Sequence, residues 1–363
     1  MWRRIAVFSG ARIPTVIPTN RHRLSLAALL AAAACVLSTA AGAQDPPANA
    51  PEPAAPAPGS RITLIELTPH LAVNDAAALI EAKNYAGAIE ILDGFIANQR
   101  EQVPEAFYLL GLAHYQLGDY AKARAPAERA ATLAADAPVS WLELVADILK
   151  RSDQPRAAIT WLERLIEKAP GTKVYWLELS VAYEKVGDFE KSLATMRLAQ
   201  QAGLLTEDGD FRRLSDLLVH QGLPFQGAEV LDQALTAQTV SADEAAYTKL
   251  GTAWFMAGET DKAVQPLENA ARAAAGGDAY IRLANVQITR QDWTAAIAAL
   301  HAGMGKGSLT DEAQANLLMG VALYAQGKFD EARDWLTKAV ESERHRDTAR
   351  SYLEAIDART ASR

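Results

Sequence analysis

The sequence predicts an all-α solenoid: about eight helix pairs stacked in a row, with a final helix capping the C-terminal end. Three observations carry this. From about residue 69 the chain repeats with a period of 33–36 residues. Each period holds small residues at two fixed places, and each sets a turn, usually with glycine, between two amphipathic stripes. Half of the 363 residues are hydrophobic, only 7% are aromatic, and alanine is abundant, a mixture better suited to closely packed helices than to a sandwich or barrel.

The period is plainest in FYLLGLAHYQLGDYAKARAPAERA (107–130), YTKLGTAWFMAGETDKAVQPLENA (247–270) and NLLMGVALYAQGKFDEARDWLTKA (316–339). On the first helix of each pair, helix A, the small position holds Ala76, Gly111, Ala146, Ser180, Ser215, Gly251, Ala284 and Gly320. On helix B it holds Ala88, Ala123, Ala158, Ser192, Gly227, Ala263, Ala296 and Ala332. Two antiparallel helices on a short turn approach closely only where side chains are small. A third position, on helix B, is bulky: Leu92, Leu162, Met196, Leu231, Leu267, Leu300 and Leu336, with Ala127 the exception. These side chains are expected to fill the space toward the next repeat, since a lone helix pair cannot bury its own faces.

The turns agree. Gly118-Asp119-Tyr120, Gly187-Asp188-Phe189 and Gly327-Lys328-Phe329 place a helix-ending glycine before a residue that opens helix B. Pro155 and Pro224 take the aromatic's place, where a helix start tolerates proline. Pro126 and Pro266 fall about two turns into helix B, where a lost hydrogen bond should bend the helix. The first unit, about 69–102, reads as irregular, and a charged final helix is expected over roughly Asp347 to Arg359.

Ahead of the array, Arg21 to Ala43 reads as a secretory signal peptide. Arg21-His22-Arg23 is its charged start, Leu24 to Leu37 its apolar stretch, and Ala41-Gly42-Ala43 its cleavage site. The apolar stretch is shorter than the roughly 20 residues a span needs, so cleavage after Ala43 and a periplasmic location are expected. An uncleaved anchor, or lipidation of Cys35, is the alternative. Residues 1–20 are a long n-region or follow a misplaced start codon. The segment DPPANAPEPAAPAPG (45–59) has the composition of an extended spacer. The expected organisation is therefore 1–43 leader with its extension, 44–68 linker and lead-in, 69–340 repeat array, and 341–363 capping helix and tail.

The first 43 residues carry five Arg and no acid; beyond them 31 basic residues face 44 acidic ones, a net charge of −13. Nucleic acid is not an expected partner of such a surface. Cys35 is the single cysteine, so a disulfide, a zinc cluster or a thiol nucleophile in the array is ruled out. The histidines (His22, His70, His114, His220, His301, His345) show no ligand spacing. Gly303-Met304-Gly305-Lys306-Gly307-Ser308 lacks the spacing and preceding strand of a phosphate loop, and reads as the turn between the last two repeats. No catalytic residue, cofactor or metal is expected.

These units resemble the tetratricopeptide-repeat (TPR) family over residues 69–340. The resemblance implies a right-handed superhelix whose helix A residues line a concave groove. Laid on the frame, it points inward Tyr108, Leu112, Tyr115 and Gln116 in the second repeat, and Leu177, Val181, Glu184 and Lys185 in the fourth. It adds Arg212, Asp216, Val219 and His220 in the fifth, Thr248, Thr252 and Phe255 in the sixth, and Leu317, Val321 and Tyr324 in the last. Such a lining suits a peptide or helix laid along it; each of these side chains could equally pack against the next repeat. The Lys/Asn set by which some members grip a chaperone's C-terminal carboxylate is replaced, with Tyr108, Leu112, Leu177 and Val181 among its places.

A narrower resemblance covers about 172–359. It is carried by VYWLELSVAYEKVGDFEKSLATMRLAQQAGLL (174–205), GLPFQGAEVLDQAL (222–235) and AVESERHRDTARSYLEAI (339–356). It is to periplasmic TPR proteins associated with TonB–ExbB–ExbD energy-transduction systems of proteobacteria. It implies a non-catalytic scaffold with TonB, ExbB or ExbD as partners. An adaptor for outer-membrane assembly or peptidoglycan machinery, and a small-ligand binding protein, are the other readings.

Produced with its own leader in a bacterium that has a periplasm, the mature protein is expected to begin at Gln44. Mass spectrometry of the purified chain checks this; an N-terminus that retains Leu24 to Leu37 would show an anchor instead.

Overall fold

The computed structural model describes residues 69–98 and 102–361; the leader and spacer discussed above lie outside them. Among the described residues there are seventeen helices and no strand. Eight pairs follow one another: α1 (Pro69–Glu81) with α2 (Tyr85–Asn98), α3 (Pro104–Gln116) with α4 (Tyr120–Leu133), α5 (Val139–Arg151) with α6 (Pro155–Lys168), and α7 (Lys173–Lys185) with α8 (Phe189–Gln201). Then come α9 (Asp208–His220) with α10 (Pro224–Thr236), α11 (Glu244–Met256) with α12 (Thr260–Ala273), α13 (Asp278–Thr289) with α14 (Trp293–Lys306), and α15 (Glu312–Ala325) with α16 (Phe329–Val340). The last helix is α17 (Arg346–Ala361). Each helix packs on the one before and the one after it, the arrangement of an α-solenoid.

One turn joins helix A to helix B in all eight pairs. A residue with positive φ ends helix A at Lys83, Gly118, Asp153, Gly187, Gly222, Gly258, Gln291 and Gly327. Around it two backbone bonds close a Schellman motif: in the second repeat Gly118 N donates to Tyr115 O at 2.9 Å, and Asp119 N to His114 O at 3.0 Å. The same two bonds recur seven more times, including Asn84 N to Leu79 O at 2.7 Å, so the first unit is as regular here as the rest. Helix B then opens on a side-chain cap where the sequence allows one. Asp119, Asp188 and Asp292 each accept from the backbone N–H three residues on, at 3.1 Å. Pro155 and Pro224 take the first position of α6 and α10, as expected.

All sixteen small residues of the frame are buried. The two members of a pair lie twelve positions apart and face each other across the A–B seam. In the fourth repeat both are serines, and their hydroxyls bond each other at 2.8 Å. In the fifth, Ser215 Oγ donates to the carbonyl of Gly227 at 2.8 Å, so a buried hydroxyl is satisfied by a backbone that only glycine lets come so near. The second repeat brings backbone to backbone. A Cβ placed on Gly111 would lie 2.9 Å from Ala127 N, at the place where the other repeats carry Leu or Met.

The bulky position corrects one expectation. Leu267 and Leu336 rest on their own helix A: Cγ of each occupies the space, 2.5 Å away, that a Cβ on Gly251 or Gly320 would need. They therefore close the pair from inside as well as facing the next repeat. Helices α4 and α12 run unbroken through Pro126 and Pro266. The run 303–308 also differs from its reading as a turn. Helix α14 continues to Lys306, and the reversal falls on Gly307 and Ser308, with φ of 75° and 54°. Gly303 is a packing residue, with Gly277 O and Tyr280 Cβ each 3.0 Å from where its Cβ would stand.

Helix α17 covers the end of the array with Ala349 and Ile356, which are fully buried, and Tyr352 meets Tyr324 edge-on at 5.3 Å. Arg333 joins it to α16 through Asp357 at 2.5 Å.

Two substitutions test the turn and the seam. Gln291 sits in the left-handed region without a side-chain bond, a conformation that costs an L-residue roughly 1–2 kcal/mol; Gln291→Gly is expected to stabilise the protein by about 1 kcal/mol and raise Tm. Gly111→Val must push α3 off the backbone of α4 and is expected to lower stability by about 1–3 kcal/mol; urea titration followed by circular dichroism reads both.

Candidate functional site

The helix A faces carry the side chains that the packing leaves over. In the fourth to sixth repeats the charged residue two positions before the small residue of helix A forms an ion pair with the helix A of the repeat before. Glu178 meets Lys150 at 2.8 Å, Arg213 meets Glu184 at 2.6 Å, and Lys249 meets Asp216 at 2.6 Å. These rungs tie helix A to helix A, complementing the A–B seams.

Beside the rungs lie three depressions. One of about 220 Å³ between the third and fourth repeats has a floor of Ala146, Ala158, Leu162, Leu177 and Val181, with Lys150 and Lys185 at its edge. A second, of about 210 Å³, is bordered by Asp216, Val219, Thr248, Lys249, Thr252 and Arg282. A third, of about 410 Å³, runs on from it past Phe255, Asp278, Ile281, Asn285, Thr310 and Gln314. Thr252 and Arg282 border both of the last two, so the two depressions adjoin there on the helix A faces of repeats five to eight.

Of the residues expected to face a groove, Leu177, Val181 and Lys185 line the first depression, and Asp216, Val219, Thr248, Thr252 and Phe255 the two that adjoin. Others are occupied by packing. Tyr108 stacks on Trp141 with ring centroids 5.0 Å apart, and burial together with the nearby Glu143 carboxylate raises its pKa. Leu112 packs into the apolar core between the second and third repeats. Tyr115 donates to Asp147 under the guanidinium of Arg151, which lies 5.5 Å from the ring; burial first, and then Asp147, raises its pKa. Glu184 is taken by Arg213 and by Ser192 Oγ at 3.1 Å. His220 lies against Phe189 at 4.2 Å, and Gln116 is exposed at the helix end. In the last repeat Leu317 and Val321 are half-buried, while Tyr324 sits between Phe329 and Tyr352 beneath Arg359.

Arg212 is a staple between repeats five and six. Its guanidinium bonds Asp208 at 3.1 Å, Asp243 at 2.9 Å and the carbonyl of Ser241 at 3.1 Å, while Ser241 N donates to Asp208 at 2.8 Å. Arg212 and then the Ser241 N–H hold the Asp208 carboxyl down at about 2, and the same carboxylates raise the pKa of Arg212. Nearby, burial pushes Asp210 up, but the N–H groups of Glu207 and Thr206 and the Lys173 ammonium outweigh it and its pKa is lowered.

No residue of the seventh repeat is among those expected to face a groove, although Ile281, Arg282 and Asn285 line the larger depression. The frame could have found Asn285: it follows Ala284 as Val181, Asp216 and Thr252 follow their own small residues, and all four line depressions. Among the described residues no group of His, Cys, Asp or Glu is placed to hold a metal, and no helix is long and apolar enough to cross a membrane.

The tetratricopeptide-repeat family model matches residues 76–138 and 281–351, less than half of the chain. The pairs between them carry the same turn and the same frame. Proteins of this family bind peptides or other proteins and are in general scaffolds without catalysis. No curated protein matches the sequence. Among solved structures, a MamA protein is 23% identical, covering 48% of this chain and 94% of its own, with a TM-score of 0.43. The C-terminal part of a TPR repeat-containing protein from Cytophaga hutchinsonii is 17% identical over 66% of this chain and 97% of its own, with a TM-score of 0.47. YrrB, described as a TPR protein with an unusual peptide-binding site, is 15% identical over 53% of this chain and 97% of its own, with a TM-score of 0.45.

Because the folded-state pKa of Asp208 lies below its ordinary 3.8, its contribution to stability is present above 3.8 and is lost as pH falls toward about 2. Asp208→Asn is expected to melt lower than wild type at neutral pH and to lose less on acidification across that window; thermal melts at stepped pH check this.

Proposed function

We propose that the protein is an exported, non-catalytic scaffold of the bacterial envelope. It holds an extended or helical segment of another protein along the helix A faces of repeats five to eight. The observation that carries this reading is the run of two adjoining depressions that share Thr252 and Arg282. It mixes apolar wall (Val219, Phe255, Ile281) with hydroxyl and amide groups (Thr248, Thr252, Asn285, Gln314) whose side chains make no hydrogen bond among the described residues. A lining of that kind recognises a chain by shape and by hydrogen bonds along it. Export to the periplasm is supported by the leader at 21–43, and the resemblance over 172–359 points to components of a TonB-type energy-transduction system as the partners.

A photoreactive amino acid in place of Thr252, irradiated in intact cell envelopes, is expected to give adducts with TonB, ExbB or ExbD. The same group at Glu229, exposed on helix B of the fifth repeat, is expected to give none of them. Adducts with wall synthases or outer-membrane assembly factors alone would replace the TonB assignment. Adducts no richer at Thr252 than at Glu229 would sink the scaffold reading.

A further inference from the structure

One member of the cross-repeat register has no partner in the repeat before it. Glu178, Arg213, Lys249 and Arg282 hold the same register, two residues before the small residue of helix A, in the fourth to seventh repeats. The first three are paired with Lys150, Glu184 and Asp216 of the repeat before, one or four residues past its small residue. For Arg282 those two places are Thr252 and Phe255, neither of which can take a charge. The acids that remain near it are engaged elsewhere. Asp278, one turn back on α13, accepts from Thr310 N at 2.9 Å and from its hydroxyl. Asp311 is held by His345 Nε2 at 3.0 Å, and Asp216 by Lys249 at 2.6 Å. Arg282 is exposed, borders both adjoining depressions, and makes no hydrogen bond or ion pair among the described residues; its charge reaches Asp278 on its own helix only through space, helping to lower that carboxyl's pKa.

We propose that Arg282 selects the partner: the bound segment carries an aspartate or glutamate side chain that seats on this guanidinium and completes the fourth rung. The proposal rests on the helix A face being a peptide-binding surface. The run of depressions lies on both sides of Arg282, toward Asp216 and Val219 one way and toward Thr310 and Gln314 the other. A segment lying in it therefore passes over Arg282 rather than ending there, which assigns the carboxylate to a side chain within the segment and not to a chain terminus. Guanidinium and carboxylate match in a two-point fork, and Thr252 and Asn285 supply neutral hydrogen-bonding groups beside it.

The test is selection from a display library of random short peptides, flanked on both sides so that no chain end is free, against the mature chain from Gln44. Wild type is expected to enrich peptides with Asp or Glu at one position. Arg282→Glu is expected to enrich Lys or Arg at that position and to bind the wild-type selection about tenfold more weakly or worse. Glu229→Arg, a charge change of the same size on helix B, should leave the selection unaltered, and circular dichroism should show all three proteins equally folded. Enrichment without an acidic position, or the same peptides enriched by Arg282→Glu, overturns the proposal. If those peptides still crosslink through the photoreactive group at Thr252, the face binds segments and only the rule of selection fails. If no peptide is enriched and Thr252 gives no adduct, both readings fall together.

Discussion

The structure depends on the approach of two helices at the small-residue seam. Where Gly111 meets Ala127, or Gly227 meets Ser215, the helices come within backbone contact, and that distance sets where every other side chain can go. A Schellman turn of fixed length fixes which residues meet, because it sets twelve positions between the facing members of each pair. Bulky residues such as Leu267 and Leu336 can then cover the glycines, and the remaining faces are matched to the neighbouring repeat.

The seam does not have one chemistry throughout. Most repeats close it with Ala and Gly, but the fourth and fifth use serines whose hydroxyls are satisfied inside the structure. The same region holds the buried carboxylate of Asp210 and two half-buried charge groups, the rung from Arg213 to Glu184 and the Arg212 staple. Hydrogen bonds and ion pairs need particular angles, whereas apolar packing tolerates sliding. The middle of the array is thus held in one arrangement by directed bonds, and the larger depression begins on the helix A faces just beyond it.

Much of this was legible in the sequence, and for a physical reason. Smallness is a property of the residue itself, so Ala76 or Gly320 announces its place without knowledge of any partner. The same is true of a glycine or an aspartate at a turn. Lys83, Asp153 and Gln291 hold the left-handed position without announcing it, because there the surrounding bonds impose the conformation. Which helix A side chains remain free was not legible. That depends on a partner roughly one period away: Arg212 reads as a groove residue until Asp243 is seen beside it, and Tyr115 until Asp147 is. Arg282 is the reverse case. Its character comes from the neutral residues at 252 and 255, and no local pattern around 282 reveals that. The glycines at 303 and 305 misled in another way, since a small residue inside a helix and one in a turn look alike in one dimension.

The repeated turn also bears on how such a chain can change length. Every seam, cap and rung joins residues at set offsets within one pair or between adjacent pairs. A segment of one whole period added between α12 and α13, or removed there, leaves each of those offsets intact on either side of the cut. An insertion of a few residues inside a helix rotates everything after it by a fraction of a turn and takes Gly, Ala and Ser off the seam together. The molecule can therefore be lengthened or shortened only in whole units, and each unit gained would bring its own stretch of helix A face for a partner to use.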